Sequence, residues 1–142
     1  MSRWNNKLVI LFEWISGRGE GVLTTAASQF GKKQLGKFNW HLDEIEKFES
    51  LEREIWMPVI EPFDKELKQL KINGELAIRL VLAFGPQQPK TEITFLDVFE
   101  KKDNKPPAGV KDRARKRLQE VTLDSSRRRK YERPAKTAPR RV

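Results

Sequence analysis

Basic side chains surround a predicted β-hairpin, and their spacing is suited to binding phosphate. The dipeptide Asn73-Gly74 is the strongest short hairpin signal in the sequence, because both central positions of such a turn favour positive φ. A two-residue turn at this point places Lys68 of the first strand directly opposite Arg79 of the second. Because opposed like charges on one face of a sheet are destabilising, a negative group is expected nearby. A phosphate held by two converging cations would meet that requirement.

The sequence also offers an alternative partner for Arg79. Asp97 lies on the next predicted strand and is placed to form an ion pair with Arg79 if the two strands pair. Arg79 shares its face with small side chains, whereas bulky ones occupy the other face, which favours a shallow cationic groove. Lys101 and Lys102 either rim this groove or form a solvated strand end, and Lys71 reaches it only at an edge or bulge. A phosphate site and a structural ion pair both stay open at this point.

The residue types that are missing exclude several kinds of chemistry. The chain has no cysteine, which removes disulfides, thiolate nucleophiles and Cys-ligated zinc. Its single histidine, His41, is expected at the surface or as a helix cap, and no metal cluster is evident. Residues 17–21 are rich in glycine but lack a full GxGxxG pattern, so a linker is favoured over a nucleotide-binding loop. No apolar run approaches the ~20 residues of a membrane span, and no signal-peptide pattern is evident, so we expect a soluble cytoplasmic protein.

The net charge of the chain is concentrated in one part of it. The 142 residues carry 29 Lys and Arg and 20 Asp and Glu, a net charge of +9, and residues 111–142 account for all of that excess. After Leu123 the composition is dominated by Arg, Lys, Pro, Ser and Ala, which is typical of a disordered segment. We therefore expect a folded domain at 1–123 and a basic disordered tail at 124–142, whose removal should leave the domain folded. The tail cations expected to attract RNA are Arg127, Arg128, Arg129 and Lys130.

Hydrophobic periodicity predicts the elements that position these residues. Apolar runs predict strands at 7–15, 66–72, 75–84 and 91–99, and three- and four-residue spacings predict helices at 22–38, 40–55 and 107–121. The first two helices are expected to form an antiparallel hairpin. The order β-α-α-β-β-β-α indicates an α+β fold, in which a small antiparallel or mixed sheet packs against an N-terminal helical hairpin and a C-terminal helix. The tryptophans Trp4, Trp14, Trp40 and Trp56 are expected to be core or interface anchors.

Two stretches of the sequence match the pattern of a known superfamily. In residues 67–85, LKQLKINGELAIRLVLAFG, basic residues lead into a strand that carries an arginine. In residues 93–121, ITFLDVFEKKDNKPPAGVKDRARKRLQEV, a strand ending in Phe and basic residues is followed by a Pro-containing loop and a basic helix. Both stretches resemble the RelE/HigB superfamily, the toxins of bacterial type II toxin–antitoxin systems, including its phage-derived, HigB-like branch. The resemblance covers roughly residues 7–121 and implies a RelE-like fold.

The resemblance implies a metal-independent endoribonuclease that cleaves mRNA, usually in the ribosomal A site, and needs no cofactor. In such an mRNA interferase the ribose 2′-hydroxyl attacks its own phosphodiester, while basic side chains stabilise the charged transition state. The partners implied are mRNA, the ribosome and a cognate antitoxin of the helix-turn-helix type. By the same resemblance the catalytic candidates are Lys68, Lys71, Arg79, Lys101 and Lys102, and the RNA-binding candidates of the last helix are Arg113, Arg115, Lys116 and Arg117.

A second hypothesis keeps the fold without the chemistry. Many members of the superfamily carry Tyr or His near the end of the last strand, where this sequence has Asp97 and Phe99. The alternative is therefore a non-catalytic protein that binds RNA or DNA through the same groove.

Overall fold

The structure is a computed structural model that describes residues 8–51 and 60–133. Within these stretches the chain forms β1 (Ile10–Trp14), α1 (Val22–Ala27), α2 (Lys32–Glu46), β2 (Ile60–Asp64), β3 (Leu67–Asn73), β4 (Ala77–Phe84), β5 (Glu92–Glu100), α3 (Val110–Leu123), a 3-10 turn (Ser125–Arg127) and β6 (Arg128–Lys130). The six strands of the described residues form one sheet in the order β2-β3-β4-β5-β1-β6, in which β1 and β5 are parallel. The predicted α+β class, with a mixed sheet and helices packed on it, is confirmed.

The sheet has an apolar core on each face, because β4 is buried on both. Its larger side chains, such as Leu80 and Leu82, pack in one cluster with Phe38 of α2. Its smaller side chains Val81 and Ala83 pack in a second cluster with residues of α3. The alternation of large and small side chains along β4 therefore assigns α1 and α2 to one face and α3 to the other.

The helices begin and end at different residues from those predicted. The break falls between Ala27 and Lys32, where Gly31 is extended and precedes α2, and not at residue 39. The sequence pattern indicates one helix across residue 39, because the positions that α2 buries are spaced every three or four residues through the predicted break. These buried positions are Gln34, Phe38, Leu42 and Ile45. In residues 8–51 and 60–133, none of the helices is both long and apolar enough to cross a lipid bilayer.

Strand β2 is an element that the periodicity does not predict, because it is short and contains Pro62. Proline cannot donate to a strand ladder and is therefore found mainly on edge strands. β2 is the edge strand next to β3, and its pairing is irregular between Pro62 and Asp64. Residues 52–55, the end of the second predicted helix, lie outside the described residues.

The hairpin between β3 and β4 has a longer turn than the one predicted. Asn73 is the last paired residue of β3, so the turn consists of residues 74–76. The register shifts accordingly, and Lys71 rather than Lys68 lies opposite Arg79. Because the shift is an odd number of residues, Lys68 moves to the other face relative to β4. The predicted pairing of Lys68 with Arg79 is therefore wrong.

Contacts with α2 explain the longer turn. Leu76 N donates a hydrogen bond to Gln34 Oε1 at 2.9 Å. Lys37 Nζ donates to the carbonyl oxygen of Asn73 at 2.8 Å. Both partners are remote in sequence, so a local turn rule does not detect them.

Residues 124–133, the C-terminal segment, are ordered, and the prediction of disorder is wrong for them. β6 pairs antiparallel with β1, and Tyr131 N donates to the carbonyl oxygen of Leu11 at 2.8 Å. The side chain of Tyr131 is 4% exposed and meets Phe38 edge-on. Removing residues 124–142 would therefore remove a strand of the sheet, which contradicts the expectation of a dispensable tail. Residues 134–142 lie outside the described residues.

The glycine-rich loop holds a buried carboxylate at the start of α1. Glu13 is 1% exposed and accepts hydrogen bonds from the backbone N–H groups of Leu23 and Thr24 at 2.8 and 2.9 Å. The hydroxyl of Thr24 donates to the same carboxylate at 2.7 Å. A Cβ atom at Gly21 would lie 2.2 Å from that carboxylate, so glycine is required there for close packing.

Candidate phosphate-binding cleft

A cleft opens on the α3 face of the sheet, where β2, β3 and β4 meet the loop between β5 and α3. It encloses about 420 Å³. Its charged lining is mainly basic, which gives the cleft a positive potential suited to an anion. The basic residues of the lining are Lys71, Arg79, Lys101, Lys105 and Lys111, and the acidic ones are Glu61 and Asp103.

Arg79 lies in the cleft with a largely buried side chain. The residue is 7% exposed, and burial lowers the pKa of its guanidinium without neutralising a group as basic as arginine. Its Nη1 donates to Asn73 Oδ1 and to the carbonyl oxygen of Ile78, each at 3.1 Å. Both acceptors are neutral, and no carboxylate of residues 8–51 or 60–133 forms an ion pair with it. The charge of Glu61 acts on Arg79 from beyond ion-pair distance, so the guanidinium is placed to attract a further anion in the cleft.

Lys71 lies directly opposite Arg79 and holds a carboxylate. Its Nζ is 3.0 Å from Glu61 Oε1, and Gln69 Nε2 donates to Glu61 Oε2 at 2.8 Å. The hydrogen bonds from Lys71 and Gln69 lower the pKa of Glu61, and the nearby charges of Lys71 and Arg79 act in the same direction. Glu61 is therefore ionised at neutral pH, and the cleft contains a carboxylate beside two cations.

Two phenylalanines give the cleft an apolar wall. The rings of Phe63 on β2 and Phe99 on β5 lie 6.3 Å apart between centroids. The ammonium of Lys111 lies 5.7 Å from the centroid of Phe63. An aromatic surface next to cations is the combination that binds single-stranded nucleic acid, through base stacking and phosphate contacts.

The structure brings together three of the five predicted catalytic residues. Lys71, Arg79 and Lys101 line the cleft. Lys68 lies on the opposite face of the sheet, where its Nζ is 4.6 Å from the centroid of the Phe84 ring. Lys102 does not line the cleft, and its ammonium is 3.9 Å from Glu100. Lys68 and Lys102 are therefore not placed to act on a ligand that Arg79 contacts.

Asp97 pairs with α3 and not with Arg79. Its Oδ2 accepts from Arg113 Nε at 2.9 Å and lies 2.7 Å from Arg113 Nη2, while Arg117 Nη1 is 3.5 Å from Oδ1. Arg117 also stacks on the Trp14 ring, with 3.8 Å between its guanidinium carbon and the ring centroid. Of the two explanations for Arg79, an ion pair with Asp97 is wrong.

The remaining RNA-binding candidates differ widely in accessibility. Arg115 forms an ion pair with Asp64, whereas Lys116 is exposed. In the C-terminal segment, Arg128 is 6% exposed at its side chain and lies 3.0 Å from Glu92, so it cannot reach a phosphate. Arg127 lies 3.6 Å from Glu120 and Arg129 lies 3.2 Å from Glu13, while Lys130 is exposed.

Sequence reasoning missed five functional candidates of the cleft, namely Glu61, Phe63, Gln69, Lys105 and Lys111. Glu61 could not be identified from the sequence, because the strand that carries it contains a proline and is not predicted. Gln69 and Lys71 share a face of β3, so the correct hairpin register would have identified them together. Lys105 and Lys111 flank the Pro106 loop, and their proximity to the cleft depends on where that loop packs.

The architecture is that of a small RelE-like α+β protein with a cationic cleft on one face of its sheet. A family model described as phage derived protein Gp49-like (DUF891) matches residues 28–119. The chain belongs to this family, which is a toxin-like family of the RelE/HigB type. The matched region contains every residue of the cleft, whereas β1 and β6 lie outside it. Comparison with curated proteins gives no match for the chain.

Proposed function

We propose that the protein is the toxin of a type II toxin–antitoxin system and cleaves mRNA, as the HigB branch does. The observation that carries the proposal is Arg79, a buried guanidinium with neutral hydrogen-bond partners, opposite Lys71 in a cleft. Membership of a toxin-like family of the RelE/HigB type supports the same function.

The proposed reaction is a transesterification without a metal ion, in which the phosphorus exchanges its bond to the 5′-oxygen for a bond to the 2′-oxygen. The ribose 2′-hydroxyl attacks the adjacent phosphorus, the bond from phosphorus to the 5′-oxygen breaks, and the products are a 2′,3′-cyclic phosphate and a 5′-hydroxyl. Glu61 accepts the proton of the attacking hydroxyl, and the ammonium of Lys101 supplies a proton to the leaving oxygen. Arg79 and Lys71 stabilise the charge that develops on the phosphate oxygens.

The rest of the cleft would hold the RNA on either side of the scissile phosphate. Lys105 and Lys111 are placed to contact neighbouring phosphates, which gives affinity without reading sequence. A base adjacent to the cleaved bond can stack on the wall formed by Phe63 and Phe99. In the cytoplasm the substrate would be mRNA on the ribosome, and a cognate helix-turn-helix antitoxin would neutralise the activity by covering the cleft.

The test is the substitution Arg79→Ala in a chain expressed without its antitoxin. We expect expression of the wild-type chain to arrest growth and Arg79→Ala to relieve the arrest. In a purified assay, cleavage of mRNA on ribosomes should slow by about 100- to 1,000-fold, the usual effect of removing one group that stabilises the transition state. Growth arrest that persists unchanged in Arg79→Ala would contradict the catalytic assignment.

Two adjacent lysines provide a matched control. Lys101 lines the cleft and Lys102 does not, although both follow the same strand and carry the same charge. Lys101→Ala should lose cleavage activity, whereas Lys102→Ala should retain it. Circular dichroism of all three variants checks that the fold is intact.

A second candidate function is RNA binding without cleavage. It is favoured by the positions of the only histidine and the only tyrosine of the chain. His41 lies on α2 and Tyr131 is buried against Phe38, so neither supplies the cleft with an acid or a base. RNA binding that depends on Arg79, with neither cleavage nor growth arrest, would establish this alternative.

A further inference from the structure

The exposed face of α2 contains an unusual combination of residues. Lys33, Gly36, Lys37, Trp40 and His41 line a shallow groove of about 540 Å³, and we name this surface the α2 patch. Their three- and four-residue spacing places them on one side of the helix. This side lies off the core stripe of α2, and Lys37 contacts the sheet from it through the carbonyl oxygen of Asn73.

Trp40 is the central feature of the α2 patch. It is 54% exposed, so of the two roles expected of the tryptophans, core anchor or interface anchor, Trp40 does not fill the first. In the described part of the chain its ring contact is with His41, edge-on at 5.1 Å between centroids. Trp14 shows the opposite case, because its indole N–H donates to Glu120 and the guanidinium of Arg117 covers its ring.

The surface around Trp40 is open. Gly36 precedes it by one helical turn, and a Cβ atom added there would meet no atom within 4 Å. The absence of a side chain at residue 36 leaves room for a planar group beside the indole. Trp40 therefore has an accessible aromatic face on a rigid helix.

The charge of the α2 patch is positive, at a cost to the helix. Lys32, Lys33 and Lys37 occupy the first half of α2, and its first turn contains no acidic residue. Cations near a helix N-terminus oppose the helix dipole, so this placement does not serve helix stability. The acids further along are matched, since Asp43 lies 2.8 Å from Arg133 and Glu44 lies 3.0 Å from Lys47.

The α2 patch adjoins the candidate cleft through one residue. The carbonyl oxygen of Asn73 accepts from Lys37 Nζ at 2.8 Å, and its side-chain Oδ1 accepts from Arg79 Nη1 at 3.1 Å. Asn73 thus lies between a cation of the patch and the central cation of the cleft. An ammonium has three donors, so Lys37 keeps two for another acceptor.

We infer that the α2 patch is a second binding surface for single-stranded RNA, continuous with the cleft across the end of the hairpin. A base stacks on Trp40 while Lys33 and Lys37 contact the phosphates beside it. The ligand is RNA, as in the proposed function on which this inference rests, but binding at the α2 patch does not require that the cleft cleaves RNA.

The experiment measures binding of a fluorescent 2′-O-methyl oligouridine, which lacks the hydroxyl that cleavage needs. We expect Trp40→Ala to weaken binding by about 5- to 150-fold, the effect of losing one base stacked on an aromatic ring. Trp40→Phe should retain most of the affinity, because it keeps a stacking surface. Because Trp40 is exposed, the urea midpoint of Trp40→Ala should stay near that of the wild type.

Lysines at the two ends of α2 give the charge control. Lys33→Ala should reduce the slope of log affinity against log salt by about 0.7, the value for one phosphate contact with a single strand. Lys47→Ala removes the same charge at the other end of the helix and should leave the slope unchanged.

Several results would separate the two proposals. Unchanged oligouridine binding in Trp40→Ala would overturn the inference, whether or not the wild-type chain cleaves RNA. Unchanged RNA binding together with lost binding of the cognate antitoxin would also overturn it and assign the α2 patch to a protein partner. Weakened binding in Trp40→Ala, from a wild-type chain that never cleaves RNA, would support the inference while the proposed function fails.

Discussion

The cleft and the C-terminal segment both contain arginines, but the two regions differ in whether a carboxylate of the chain pairs with them. In the segment, Arg128 and Arg129 pair with buried carboxylates of the sheet at 3.0 and 3.2 Å. In the cleft, Arg79 is about as buried as Arg128, whereas Arg129 is half-exposed, but Arg79 has only neutral hydrogen-bond acceptors among the described residues.

The difference separates structural cations from functional ones. A buried guanidinium that meets a carboxylate within the chain is satisfied, and it stabilises the fold. A buried guanidinium without such a partner keeps a desolvated positive charge that an external anion can satisfy. Net charge does not distinguish these states, since all of the cleft except Lys111 lies in residues 1–110, where the charges balance. The following predictions test whether the two regions are as different as their contacts indicate.

The largest expected effect comes from ending the chain after Arg127. This change removes β6 and leaves Glu13 and Glu92 without their arginine partners. Removing the partner of a buried charge costs about 3–5 kcal/mol, which applies to Arg128 with Glu92, whereas Arg129 is 44% exposed at its side chain and contributes less. The lost pairing of β6 and the lost packing of Tyr131 add to this cost, so the total approaches the stability of a typical domain, about 5–15 kcal/mol. We expect cooperative unfolding in urea, followed by circular dichroism, to be lost.

A chain ended after Arg133 is the control for this truncation. It retains all described contacts of the C-terminal segment and should still unfold cooperatively. A wild-type urea midpoint in the chain ended after Arg127 would show that the segment is not needed for the fold.

A smaller effect is expected from removing single cations in the two regions. Arg128→Met should lower the free energy of unfolding by about 3–5 kcal/mol, because Glu92 remains buried without a countercharge. Lys111→Met in the cleft should change stability by no more than about 0.5 kcal/mol, while lowering the salt slope of RNA binding by about 0.7. Urea titrations and oligonucleotide binding at several salt concentrations measure both effects.

If Arg128→Met weakened RNA binding and Lys111→Met destabilised the fold, the distinction between structural and functional cations would be wrong. The double variant Arg128→Met with Glu92→Leu tests the same distinction. Replacing both members of a buried pair by apolar residues is often nearly neutral, so the double variant should recover much of the stability that Arg128→Met loses.

The smallest effect concerns His41, which lies in the α2 patch beside Lys37. Burial and the charge of Lys37 lower its pKa below 6.5. Below pH 6.5 the unfolded chain therefore binds a proton that the folded chain resists, so the free energy of unfolding falls as pH falls towards the folded pKa. The chain has one histidine, so a single imidazole NMR signal follows this titration.

Replacing Lys37 tests the cause of the shift. Lys37→Ala should raise the pKa of His41 towards 6.5, because it removes the neighbouring positive charge. A titration that does not move in Lys37→Ala would show that burial accounts for the whole shift. His41→Asn should remove the stability loss between pH 7 and pH 5 in either case.

Part of the fold and part of the site could be predicted from local patterns. The strands β4 and β5 and the helix α3 were predicted within three residues at each end, because long apolar runs and a clear stripe define them. Arg79 was identified because two cations opposed on one face of a hairpin need a negative group, although the residue opposite it is Lys71 and not the predicted Lys68. Lys101 was identified because it closely follows the predicted strand 91–99, which is the neighbour of the strand that carries Arg79.

The rest depended on contacts between residues that are far apart in sequence. The hairpin register follows from hydrogen bonds that α2 makes to the turn, so the local Asn73-Gly74 rule selected Lys68 where the structure has Lys71. The order of the C-terminal segment comes from acids more than 30 residues away, such as Glu92 for Arg128. A basic stretch with few apolar residues therefore resembled disorder, although its countercharges were elsewhere in the chain.

The position of β1 has a consequence for how the protein is made. β1 lies between β5 and β6, with Ile10 opposite Glu92 and Phe12 opposite Lys130. During synthesis this apolar strand emerges long before either of its neighbours, and such distant pairing is slow to form. The sheet cannot be completed until Tyr131 has left the ribosome. A chain interrupted before that residue would leave β1 paired with β5 alone, as an exposed apolar edge strand, which favours aggregation and degradation.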